Sequence, residues 1–181
     1  MIKLLIDRGA NVKAIDDTHH TPLHMASNKE TAELLINAGA DVNAKTRRTG
    51  ETLLFSAARG AAQGSPKSHQ MYLDLSKLLI ANGADVNVKL KSGSMIKDNK
   101  PYRAKSEETT LHEVARSYSE KHASEVCELL IANGAKVNEL NDKGQTPIDE
   151  AFANGRKKTA EFLRKHGGKT GEELKAEGKS G

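Results

Sequence analysis

The chain has no tryptophan, three phenylalanines and three tyrosines, so aromatic residues make up only 3% of its 181 residues. Large aromatic side chains dominate deep globular cores. Their scarcity, with an apolar content of 36%, argues against one deep core and for thin Leu/Ala layers that each bury themselves on a neighbour. A single cysteine, Cys127, excludes an intrachain disulfide framework and suits a reducing compartment. No window has the apolar length of a membrane span, and residues 1–10 lack the apolar core of a signal peptide. A cytoplasmic location is therefore expected. Neither charge dominates: the formal net charge of +4 permits an acidic partner without calling for nucleic acid. The length suits one domain.

What the chain does have is a stretch that it spells four times. Leu4-Leu5-Ile6-Asp7-Arg8-Gly9-Ala10-Asn11-Val12-Lys13 returns as Leu34-Leu35-Ile36-Asn37-Ala38-Gly39-Ala40-Asp41-Val42-Asn43. It returns again as Leu78-Leu79-Ile80-Ala81-Asn82-Gly83-Ala84-Asp85-Val86-Asn87 and Leu129-Leu130-Ile131-Ala132-Asn133-Gly134-Ala135-Lys136-Val137-Asn138. A weaker copy at Phe162-Leu163-Arg164-Lys165-His166-Gly167 closes the series. Leu-Leu-Ile reads as the end of an amphipathic helix, and Gly as the left-handed residue that stops it. The following residues read as a short extended segment with one buried Val.

A second motif opens each unit. Thr21-Pro22-Leu23-His24-Met25-Ala26 places Thr as N-cap and Pro in the first turn, where its missing N–H costs nothing. Thr52-Leu53-Leu54-Phe55, Thr109-Thr110-Leu111-His112 and Thr146-Pro147-Ile148-Asp149 are related openings. A unit is thus turn, helix, helix, turn. With these two motifs recurring in fixed order, the chain resembles the ankyrin repeat family, whose period is about 33 residues. The resemblance covers residues 1–168. It implies an all-α solenoid of antiparallel helix pairs with protruding hairpin turns, and a concave face that binds proteins.

The expected divisions are a partial repeat at 1–16, repeats at 17–48, 49–88, 106–141 and 142–168, and a flexible tail at 169–181. Residues 1–13 look like the back half of a unit, either a stunted cap or the start of a fragment. Met1, Ile2, Leu4 and Leu5 make a poor polar cap. From closing Gly to opening Thr the connections take 12, 13, 26 and 12 residues, and from opening Thr to closing Gly the units take 18, 31, 25 and 21. Unit two is therefore short, unit three long, and the connection before unit four carries an insertion over 88–108. Gly60, Gly64, Ser65 and Pro66 predict a loop between the two helices within 60–70, with extension of the first helix through Ala62 as the alternative. Ser92-Gly93 and Asp98-Asn99 predict turns in 88–108, a basic hairpin or loop. Leu174 is the one apolar anchor of the tail, where a frayed helix over 172–177 is expected.

Candidate chemistry is sparse. His24 and His112 sit three residues after a Thr, where the resemblance implies a hydrogen-bonding role within the turn. His19, His20 and His24 with Asp16 and Asp17 suggest a metal only superficially, since zinc wants convergent ligands, usually with Cys or further carboxylates. Cys127 aligns with Ala32, Ser76 and Ala160 as a small packing residue. The Gly167-Gly168-Lys169-Thr170 run lacks the earlier Gly and the strand of a phosphate loop. No cofactor, metal or catalytic constellation is predicted.

The expected function is non-catalytic: a monomer that binds a protein of acidic character through the concave face and hairpin tips. The residues expected there are Met25, Arg47, Arg48, Arg59, Lys89, Lys91, Tyr102, Arg103 and Arg116. One alternative is an array that positions or regulates an attached domain of a larger protein. Another is weak binding of an anionic polymer by the basic 88–108 insertion. There Tyr102 is the lone aromatic, so stacking on bases has little support.

Overall fold

In the computed structural model, residues 1–90, 94–97, 100–103 and 107–178 are described; for 94–97 and 100–103 this means the backbone alone. The array is a stack of helix pairs. Unit one contributes α1 (Ile2–Asp7). Unit two has a 3-10 helix (Pro22–Met25) and α2 (Lys29–Asn37), and unit three has α3 (Leu53–Gln63) and α4 (Pro66–Ala81). Unit four has α5 (Thr110–Ala115) and α6 (Glu120–Ala132), and unit five has α7 (Pro147–Ala153) and α8 (Lys157–Lys165). Within the inserted connection, β1 (Ser94–Lys97) pairs antiparallel with β2 (Lys100–Arg103), Met95 facing Tyr102 in register. Among the described residues no helix is long and apolar enough to cross a membrane.

The repeat motifs explain the core. Leu23, Leu54, Leu111 and Ile148 occupy one position of successive first helices, and none is more than 1% exposed. Leu35, Leu79, Leu130 and Leu163 share a position on the second helices, Leu35 being 4% exposed and the others 0%. Beside them the Ala32, Ser76, Cys127 and Ala160 slot is buried throughout, and burial pushes the Cys127 thiol up to about 12, far from a reactive thiolate.

The units are locked by polar side chains at repeating positions. Asn87 Nδ2 donates to the Gly134 carbonyl at 2.9 Å, and its Oδ1 accepts from Lys136 N–H at 2.9 Å. Asn43 makes the same pair with Gly83 and Asp85, and Asn138 with Gly167 and Lys169. Such bonds need the carbonyl of a left-handed glycine to face the neighbouring unit; Gly83 and Gly134 have φ of 85° and 86°. The segment after each glycine is a turn and not the extended piece predicted: Asp85 Oδ1 accepts from Asn87 N–H at 2.8 Å, as Asx turns do.

Two further expectations are corrected. Residues 60–70 are not a loop; the first helix runs on past Ala62, as the alternative had it, and α4 starts at Pro66. Gly60 lies inside α3 under the ring of Tyr72, where an added Cβ would come 2.7 Å from Tyr72 Cδ2. Only Gly64 and Ser65 separate α3 from α4, so the extra residues lengthen both helices. The tail carries the expected helix with its Leu174 anchor, α9 (Gly171–Ala176), but it is not frayed, because a Thr170–Glu173 capping box closes it. Gly171 N–H donates to Asp149 Oδ2 at 2.8 Å, which fixes α9 to unit five.

Candidate functional site

The opening Thr of each unit caps its first helix. At Thr21 and Thr109 the cap is completed by the histidine three residues on. His112 Nδ1 accepts from Thr109 N–H at 3.2 Å and from its hydroxyl at 2.8 Å, leaving Nε2–H to donate to the Gln145 carbonyl of unit five at 3.1 Å. Burial holds the His112 imidazole neutral, with a pKa lowered to about 4. His24 repeats this with Thr21 and, at 3.4 Å, the Glu51 carbonyl; burial lowers its pKa too. In unit five Asp149 takes the place of the histidine, its Oδ2 accepting from Thr146 N–H and hydroxyl at 2.9 Å. These side chains hold the stack together.

The hairpin residues are also committed locally. Asp16 Oδ1 accepts from the Thr18 hydroxyl and from the Thr18 and His20 amides at 2.7–2.8 Å. Those bonds, the hydroxyl first, draw its pKa down to about 2. Among the described residues no group of three or more His, Cys, Asp or Glu converges as metal ligands would. Arg47 N–H donates to the Thr18 carbonyl at 3.0 Å, linking neighbouring hairpins and leaving the Arg47 and Arg48 side chains exposed.

The residues expected to bind separate into two groups. Met25 is 66% exposed at the end of the 3-10 helix, and Arg59 lies on α3 facing the same groove. Lys89 and Arg116 are held by the fold. Lys89 Nζ pairs with Glu139 at 2.6 Å and donates to the Leu140 carbonyl at 3.1 Å. Arg116 pairs with Glu108, and its Nε lies 3.6 Å from Glu113 and 3.9 Å from Glu150. Burial opposes the Arg116 charge, but the three carboxylates outweigh it and raise the guanidinium pKa. Its expected exposure on the concave face is thus replaced by a clamp between units four and five. Lys91 lies outside the described residues; Tyr102 and Arg103 are placed on β2 by backbone only.

The groove beside Met25 and Arg59 has a volume of about 570 Å³ and also includes Ser27, Ser56, Gly60 and Tyr72. Sequence reasoning missed these four. The signal was the juxtaposition of an 18-residue and a 31-residue unit, which leaves the longer helices unmatched.

The family model for ankyrin repeats (3 copies) matches residues 1–90 and 68–173. The chain belongs to the ankyrin repeat family. Ankyrin repeats are generally protein–protein interaction modules, and the family is typically non-enzymatic. The Thr–His caps and the asparagine bridges are what an ankyrin array needs to hold its register from unit to unit.

Proposed function

We propose that this ankyrin array is a non-catalytic binding module that takes a partner protein on its inner row of first helices and its hairpin tips. The observation that carries the reading is how the polar residues divide. The recurring Thr, His and Asn side chains are spent on bonds within and between units, whereas Met25, at the end of a first helix, and Arg47 and Arg48, in a hairpin, are exposed. Exposed side chains without a structural duty, on a rigid scaffold, are what recognition uses. Both ring nitrogens of His24 and His112 are engaged in bonds of the stack and the Cys127 thiol is buried, so these groups form no nucleophile–base pair.

The test is affinity capture with the full chain as bait, read by mass spectrometry, beside a variant carrying Met25→Ala, Arg47→Glu and Arg48→Glu. Proteins recovered by the native chain and lost by the variant, at unchanged melting temperature, support the reading. Equal recovery by both overturns it.

A further inference from the structure

Unit two is the shortest full unit and unit three the longest, and they are neighbours. The 3-10 helix of unit two ends at Met25, whereas α3 runs on to Gln63 and turns back into the equally extended α4. The far half of the α3–α4 pair therefore overhangs unit two. Toward unit four the same overhang is covered by longer helix α6 and the turn before it. Toward unit two it forms one wall of the groove of about 570 Å³.

The lining has a definite chemistry. Its base is small, Ala57 and Gly60, and the Tyr72 ring lies against Gly60. Met25 supplies a mobile thioether that adapts to an apolar guest. Arg59 is the one residue of the lining that carries a full charge, because burial keeps His24 neutral. Its guanidinium lies 5.5 Å from the Phe55 ring centroid and 3.7 Å from Glu51, and its side chain is 34% exposed. Glu51 is its ion-pair partner at that distance, but no hydrogen bond joins the guanidinium to another described residue, so its N–H groups can take a second carboxylate beside Glu51.

We propose that this groove docks a short segment of a partner protein that lays one apolar side chain over Ala57 and Gly60 and sets a carboxylate against Arg59. The proposal rests on the protein-binding reading above and narrows it to one place. Nucleic acid fits poorly: there is a single cation, and the one aromatic ring is already packed on Gly60.

The probe is a random-peptide library displayed on phage, selected against the full chain. The enriched peptides are then measured against Arg59→Gln, which removes the charge, and Ser56→Trp, which fills the groove. Lys77→Glu on the exposed side of α4 and Arg47→Glu at a hairpin tip are the comparisons, with melting temperature recorded for each. The expected peptides pair an apolar residue with a nearby Asp or Glu. They weaken about tenfold or more with Arg59→Gln and are unchanged by Lys77→Glu. Should Ser56→Trp misfold, Arg59→Gln alone decides. Peptides indifferent to Arg59→Gln but weakened by Arg47→Glu overturn the groove and leave the wider reading standing. Failure to enrich any peptide counts against both. A self-association abolished by Arg59→Gln makes a second copy of the chain the occupant and also overturns the proposal.

Discussion

Toward unit four, the α3–α4 overhang is closed by hydrogen bonds; toward unit two, the same two helices end in a groove. The closed flank answers a backbone problem. The last four carbonyls of a helix lack intrahelical donors, and Pro66 cannot donate to Ala62. Gly64 N–H takes Gly60 O, His69 Nδ1 takes Ala61 O at 2.8 Å, Ser117 Oγ takes Ala62 O at 2.7 Å, and the Tyr118 hydroxyl takes Gln63 O. Two of these donors come from unit four, and His122 of α6 stacks on His69 at 3.9 Å between centroids. On the open flank the Met25 and Arg59 side chains make no hydrogen bond to a backbone group among the described residues. One insertion thus serves stability on one side and offers surface on the other, and substitutions on the two flanks should separate accordingly.

The largest effect is expected where both flanks share a layer. Leu79→Ala removes a side chain that is 0% exposed and should cost roughly 2–5 kcal/mol in urea denaturation. Next comes acid. His112 is neutral when folded, with a pKa of about 4 against 6.5 unfolded, so the unfolded chain binds the proton first as pH falls. Its contribution is complete above pH 6.5 and is lost on acidification toward pH 4, about 3 kcal/mol in all. Stability measured across that range should fall with pH, and a His112→Gln variant should show a shallower slope. A His112 resonance titrating near 6.5 would refute the buried neutral ring.

Smaller again is Ser117→Ala on the closed flank. It strands the Ala62 carbonyl and should cost about 1–3 kcal/mol by thermal denaturation. The smallest effect on stability belongs to the open flank: Met25→Ala and Arg59→Gln should each stay within about 0.5 kcal/mol of the native chain. An Arg59→Gln variant as destabilised as Ser117→Ala would erase the contrast between the flanks.

Much of this was legible in the residues because the repeats place local demands on them. A left-handed stop needs Gly83 and Gly134, a capped helix needs Thr109 or Thr146, and a shared layer needs Leu at Leu35, Leu79 and Leu130. The misread parts depend on partners distant in sequence. Gly60 breaks no helix because Tyr72, from the next helix, packs on it. Arg116 looked free because Glu108 and Glu150 reach it only in the folded stack. Tyr72, Ser27 and Ser56 join one groove only because neighbouring units differ in length. The helix expected over 172–177 is present at 171–176; what went unread is its anchorage, the Thr170–Glu173 capping box and the Gly171 bond to Asp149.

Amide chemical-shift mapping of the full chain, titrated with a peptide selected on it, tests the division of the overhang most directly. The largest shifts are expected at Met25, Ser27, Ser56, Arg59, Gly60 and Tyr72, while Ser117, Tyr118 and His122 across the same helices stay still. Largest shifts on the Ser117–His122 flank, or at Arg47 and Arg48 with the groove silent, would contradict it.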